Sequence, residues 1–216
     1  VTRVLKSIKA SRPVEPLLRV FACSDIHLRL KLLEEALKTS RDADLAVCLG
    51  DLTVYGKGLD AALERLRALN EHVFVIPGNN ETPEELGEKA SATGIVFLHG
   101  RKTVFKGFTL AGVGGSLPTP FNTPFEIGEQ EFKRVLSGFR GLSSLILFSH
   151  TPPFNTSLDL ASTGEHIGSA EVRRFVEEES PLACLCGHVH ERAGLSEKIG
   201  GTLVVNPGPR GMVIEL

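Results

Sequence analysis

Seven side chains able to offer a lone pair to a metal stand in five short stretches of this 216-residue chain: Asp25 with His27, Asp51, Asn79, His150, and His188 with His190. Each stretch follows an oily run of strand length. Arg19-Val20-Phe21-Ala22-Cys23 leads to Ser24-Asp25-Ile26-His27, and Leu45-Ala46-Val47-Cys48-Leu49 leads to Gly50-Asp51. Val73-Phe74-Val75-Ile76 leads to Pro77-Gly78-Asn79-Asn80-Glu81, Leu145-Ile146-Leu147-Phe148 to Ser149-His150, and Leu182-Ala183-Cys184-Leu185-Cys186 to Gly187-His188-Val189-His190. A bare carboxylate there does nothing for a core, whereas the space beyond strand carboxyl ends is where α/β sheets collect ligands. Alone, each histidine reads as a satisfied polar residue. As a set in one cleft they are costly unless they ligate something. Mixed carboxylate, imidazole and amide donors suit Mn, Fe or Zn, with Mn favoured, better than Ca or Mg. Seven donors exceed what one such ion takes, so the pattern calls for two divalent ions roughly 3.5–4 Å apart sharing a carboxylate, the clamp expected of phosphoryl chemistry.

The elements that must position these donors alternate. Leu30, Leu33 and Leu37 predict a helix over about 30–40, Leu59, Leu63, Leu66 and Leu69 one over about 58–70, and Thr82-Pro83-Glu84-Glu85 starts a third that runs to about 93. Strand and helix in alternation demand parallel strands with crossover helices, hence an α/β fold. From Ile95 the rhythm changes: Ile95-Val96-Phe97-Leu98, Thr103-Val104-Phe105 and Phe108 to Val113 are short and turn-separated, which predicts hairpins and a mixed sheet. Two long loops follow, 116–128 and 151–168. The second starts beside His150 and is expected to wall the substrate cleft. A helix over about 169–179 and strands over 200–205 and 212–216 complete the chain.

Composition narrows the function. A formal net charge of -2 argues against a nucleic-acid partner held by a broad basic surface. No apolar run reaches membrane-spanning length and no signal-peptide region is evident, so the expectation is a cytoplasmic protein without a membrane partner. The four cysteines all fall in oily runs, as reduced thiols do. Residues 1–18 read as a leader or strap and 19–216 as one domain. Gly112-Val113-Gly114-Gly115-Ser116 lacks the helix a phosphate loop needs, and Ser149 lacks a nucleophile elbow. His99 is expected at a surface turn, His72 at a helix end, and Glu81 in a supporting role.

Asp25-Ile26-His27, Gly50-Asp51, Gly78-Asn79-Asn80-Glu81, Ser149-His150 and Gly187-His188-Val189-His190 resemble the ordered motifs of the calcineurin-like metallophosphoesterases, nearest to the small prokaryotic type. The resemblance implies a four-layer α-β-β-α sandwich, two mixed sheets face to face with helices outside and a dinuclear metal site at the strand ends. It implies that Asp25, His27 and His190 hold one ion, Asn79, His150 and His188 the other, and that Asp51 bridges both. The implied activity is a phosphohydrolase, in particular a phosphodiesterase for a small, nucleotide-related or broad set of phosphate esters, in which a metal-bridging hydroxide attacks phosphorus in line. Likeness of Asn206-Pro207-Gly208-Pro209-Arg210 to the family's closing motif makes Arg210 a candidate phosphate contact.

One position departs from the family pattern. Asn80 stands where most members carry a histidine credited with helping the leaving group depart, and an amide can donate a hydrogen bond to phosphate but no proton. Asn80 is therefore the candidate catalytic and substrate-binding residue beside Asp51, with His166, late in the second loop, the candidate to deliver the missing proton. The same departure keeps alive a catalytically weak scaffold of this fold. General acid catalysis contributes roughly 10²–10⁴-fold and matters most for basic leaving groups. Asn80→His is expected to raise turnover of an alkyl phosphodiester more than of a nitrophenyl one, and equal gains in steady-state assays would refute that role.

Overall fold

The computed structural model describes residues 17–216; the strap expected over 1–18 lies outside them apart from Leu17 and Leu18. Eleven strands and five α-helices are formed among the described residues. In chain order they are β1 (Arg19–Cys23), α1 (Lys31–Arg41), β2 (Leu45–Cys48), α2 (Leu59–Arg67), β3 (Val73–Val75), α3 (Pro83–Ala92), β4 (Val96–Phe97), β5 (Lys102–Phe105) and β6 (Phe108–Val113). There follow α4 (Glu129–Ser137), β7 (Leu145–Ser149), α5 (Ala170–Glu179), β8 (Ala183–Leu185), a 3₁₀ turn at His190–Arg192, β9 (Ser196–Ile199), β10 (Thr202–Val205) and β11 (Met212–Glu215).

Two mixed sheets result, one ordered β11-β1-β2-β3-β4 and the other β5-β6-β7-β8-β10-β9. The donor-bearing strands run parallel inside each sheet, β1 with β2 and β2 with β3, and β7 with β8. Their carboxyl ends therefore share an edge. Antiparallel strands are confined to the flanks, where β11 pairs with β1, β5 with β6 and β9 with β10.

Period-two alternation sorts the strand residues into layers. Phe21, Ala46, Cys48, Val73 and Val75 face the helix layer, where Leu33, Leu63, Leu66 and Leu86 cover them. Their neighbours Val20, Ala22, Leu45, Val47 and Phe74 face the other sheet's Leu110, Ile146, Phe148 and Leu185. On the far side Leu145, Leu147, Cys184 and Cys186 meet Phe132, Val135, Leu136, Phe175 and Val176 of α4 and α5. Strands buried on both faces need the continuous oily runs seen in the sequence. The outcome is the four-layer sandwich.

Several expectations change. Val96–Phe97 forms no hairpin with the strand that follows; it adds in parallel to β3, and the chain then crosses to the second sheet, leaving β5 and β6 as the hairpin. Helix α2 stops at Arg67, so His72 does not cap a helix end but lies five residues on, its ring edge-on to Phe105 at 5.0 Å. Helix α4 and strand β9 went unforeseen. At α3 the Thr82 side chain does accept the Glu85 N–H, as its sequence predicts.

Candidate metal centre

The turns after β1, β2 and β8 carry unusual backbone. Asp25 (φ 58°), His27 (φ 45°), Asp51 (φ 55°) and His188 (φ 69°) all lie in the left-handed region. That region costs an L-residue roughly 1–2 kcal/mol, though Asp and His enter it more readily than most. Such conformations persist only where the surroundings enforce them. Here the Asp25 N–H donates to the Gly50 carbonyl at 3.0 Å and the His27 N–H to the Asp51 carbonyl at 2.9 Å, so the first two turns zip together beyond their strands. The third motif presses closer still: a Cβ on Gly78 would lie 1.9 Å from Asp51 Oδ1, and one on Gly50 2.3 Å from the Gly78 nitrogen.

Within that frame Asp51 is gripped by Asn80. The Asn80 backbone N–H donates to Oδ1 at 2.9 Å and its Nδ2 to Oδ2 at 2.8 Å. The Asp51 oxygens then look two ways, Oδ2 toward His27 Nε2 at 3.5 Å and Oδ1 toward His150 Nε2 at 3.7 Å. On the first side, one ligand atom from each of Asp25, His27, Asp51 and His190 lies within 4.8 Å of the others. On the second, Asn79 Oδ1 sits 3.1 Å from His150 Nε2 and 3.1 Å from His188 Nδ1.

Two of the candidate donors, His150 Nε2 and Asn79 Oδ1, turn lone pairs toward each other. His150 Nδ1 is 2.8 Å from the Leu49 carbonyl and His27 Nδ1 is 3.0 Å from the Thr53 carbonyl. A carbonyl only accepts, so each ring proton is assigned to Nδ1 and Nε2 is left as an acceptor. Asn79 Nδ2 donates to Thr123 Oγ1 at 3.0 Å, which turns the Asn79 oxygen toward His150. His27 Nε2 faces His190 Nε2 at 3.0 Å, where His190 can donate to it. Acceptors as close as His150 Nε2 and Asn79 Oδ1 repel unless a cation stands among them, and the residues present fit a divalent metal. Burial would raise the Asp25 carboxyl, but the bond from His190 and the charge on the neighbouring imidazoles at low pH outweigh it and hold it at about 2. Burial pushes His188 down to about 4, so it is neutral at pH 7.

Glu81 supports the whole arrangement. Its carboxylate is buried and accepts from Asp51 N at 3.1 Å, Gly78 N at 3.0 Å, Thr53 N at 2.8 Å and Thr53 Oγ1 at 2.7 Å. Burial and then the Asp51 charge push its pKa up to about 7. The signal for this role was a charged residue beside a glycine turn with no solvent face to occupy.

Other candidates make their contacts outside the donor set. His166 Nδ1 bonds buried Asp159 Oδ1 at 2.6 Å and its ring stands edge-on to Phe154. The Arg210 guanidinium lies 3.6 Å from Glu35 on α1, on a side chain 80% exposed, and no hydrogen bond or ion pair joins it to the seven donors among the described residues. His99 is no simple surface turn: its Nδ1 accepts the Gly114 N–H at 2.9 Å and its ring packs edge-on against Phe125.

Burial pushes His99 down to about 4 from an ordinary 6.5. The unfolded chain then binds more protons between those values, so stability is full above pH 6.5 and falls as pH drops toward 4. His99→Gln is expected to lose about 1–2 kcal/mol less than the native protein between pH 7 and pH 5. Urea midpoints at the two pH values check this, and parallel losses would exclude His99 as the source.

A protein-family model described as calcineurin-like phosphoesterase matches residues 18–192. An uncharacterised protein of Methanocaldococcus jannaschii is 34% identical over 205 residues, which span 91% of each chain. Among solved structures, TT1561 of Thermus thermophilus is similar with a TM-score of 0.74 at 22% identity, covering 90% of this chain and 91% of that one. Phosphopantetheinyl hydrolase from Mycobacterium tuberculosis is similar with a TM-score of 0.65 at 16% identity, covering 88% of each. With sheet order, donor geometry and the family match agreeing, the chain belongs to the calcineurin-like phosphoesterase family.

Proposed function

We propose that this protein is a divalent-metal-dependent phosphohydrolase acting on phosphodiesters, with two ions, Mn favoured. Asp25, His27 and His190 would hold one ion, Asn79, His150 and His188 the other, and Asp51 both. The observation that carries this reading is the Asp51 carboxylate itself, one oxygen turned to each donor set. Bound there, the cations supply Lewis acidity toward phosphoryl oxygens and lower the pKa of water.

The chain's own residues do the rest. Asn80 fixes the Asp51 carboxylate through two N–H groups, and its Oδ1 takes the Tyr55 N–H at 3.0 Å, so one Nδ2 hydrogen is left for a phosphoryl oxygen. That hydrogen orients but cannot protonate. His166 is the proposed proton donor: Asp159 holds its Nδ1 and leaves Nε2 available, while Arg192, two residues past His190, donates to the Leu160 carbonyl at 2.7 Å and ties this loop to the site. We place the protein in the cytoplasm, since its four cysteines are free and buried. No helix among the described residues is long and apolar enough to cross a membrane.

Bis(p-nitrophenyl) phosphate is the test substrate. Hydrolysis is expected with added Mn²⁺, with loss on chelation and a drop of about 10²-fold or more in Asp51→Asn. Two tightly bound ions with no turnover would sink the hydrolase and favour the scaffold that Asn80 suggests. For the proton donor, His166→Gln should flatten one limb of the pH–rate profile while leaving metal content intact; an unchanged profile removes His166 from the mechanism.

A further inference from the structure

Two loops flank the donors and are joined by one bond. Loop 52–58 gives the Thr53 carbonyl to His27 and the Tyr55 N–H to Asn80. Loop 116–128 holds Asn79 at both ends, through Thr123 Oγ1 and through the Phe125 N–H, which donates to the Asn79 carbonyl at 3.0 Å. The Tyr55 hydroxyl then donates to the Phe121 carbonyl at 2.8 Å and links the loops. Two aromatic residues thus sit within a few bonds of the candidate metal donors.

Neither ring serves a core. Tyr55 is 49% exposed and Phe121 70%, and neither belongs to the three apolar layers. An exposed hydrogen bond contributes little to stability, so it does not explain why two large apolar surfaces face water here. Both are nevertheless held firmly. Tyr55 adopts φ 51°, a conformation a bulky side chain rarely takes and one that collects at ligand clamps. Phe121 donates its N–H to Thr119 Oγ1. Glu126 Oε1 anchors that segment, accepting Thr119 Oγ1 at 2.6 Å, Thr123 Oγ1 at 2.6 Å and Thr123 N at 2.8 Å. Val54 (41% exposed), next in sequence to Thr53, and Leu28 (37%), next to His27, are exposed apolar residues as well. Exposed apolar surface on anchored loops beside a site suited to phosphate fits the organic part of an ester, not the phosphoryl group.

We propose that Tyr55 and Phe121 form the subsite for the substrate's organic group, and that this group carries a flat aromatic ring, as in a nucleobase-bearing or aryl phosphoester. The proposal rests on the hydrolase reading above and supplies its substrate class. Stacking on an aromatic side chain strengthens binding by roughly tenfold or more for each ring.

Phenylphosphonate and methylphosphonate share a phosphonate head, resist hydrolysis and differ by the ring. Titrated calorimetrically into Mn²⁺-loaded protein, phenylphosphonate is expected to bind about tenfold tighter. The chain has one tyrosine and no tryptophan, so intrinsic fluorescence reports Tyr55 alone and should change with phenylphosphonate only. Tyr55→Ala and Phe121→Ala should each bring the affinity ratio toward one, with Tyr55→Phe in between. Adenosine monophosphate as a third ligand separates the sources: tighter binding than phenylphosphonate marks a nucleobase, weaker binding an aryl group. Equal affinity for the two phosphonates in the native protein, or a ratio that survives both alanine variants, overturns the subsite while leaving the hydrolase standing. Failure of both phosphonates to bind, together with no turnover of the diester, overturns both.

Discussion

Asp51 occupies a crossing of two backbones so tight that neither neighbouring loop has room for a side chain. Gly50 turns through φ 101° and lies against Gly78, while Gly78 lies against the Asp51 carboxylate. From that crowding the rest follows. The Asp51 carboxylate cannot swing away, the Asn80 N–H groups meet both of its oxygens, and Glu81 gathers the N–H groups that the two turns leave unpaired. Each of these bonds satisfies a buried polar group that would otherwise cost about 1–3 kcal/mol. The turns and the candidate bridging carboxylate are thus held by the same atoms.

The sandwich underneath serves that crossing. Parallel strands bring their carboxyl ends to one edge, and burial on both faces keeps them from sliding in register, since a one-residue slip would exchange Phe21 and Val20 between layers. Flanking strands take the antiparallel connections, and loop 116–128 is tied to the Asn79 turn. Loop 116–128 is irregular but not slack: burial would raise Glu126, yet bonds from Thr119 and Thr123 outweigh it and hold its carboxyl at about 2, so the anchor stays charged.

Much of this was legible in the residues because the strand ends carry both signals at once, an oily run that stops and a donor that starts. Asp25, Asp51, Asn79, His150 and His188 needed only that break. Less visible was whatever depends on partners far along the chain. Val96–Phe97 is too short for its pattern to say which sheet it joins. Helix α4 opens at Gly128 without a side-chain cap, so the stripe of Phe132, Val135 and Leu136 had no marked beginning after a proline-rich loop. Strand β9, Ser-Glu-Lys-Ile, lies at a sheet edge and carries little apolar pattern. The grip of Asn80 on Asp51 and the turning of Arg210 toward Glu35 are tertiary facts with no local trace.

The donors are divided between the sheets: Asp25, His27, Asp51 and Asn79 follow strands of the first, and His150, His188 and His190 follow strands of the second. Away from this edge the two sheets meet chiefly through oily contacts, which resist separation but have little directional preference. Cations lodged across the seam would act as rivets, coupling ion occupancy to the cohesion of the sandwich, with a gain of about 2.7 kcal/mol at a hundredfold excess over the dissociation constant. The molecule's mechanical integrity and its chemistry would then draw on the same inorganic supply.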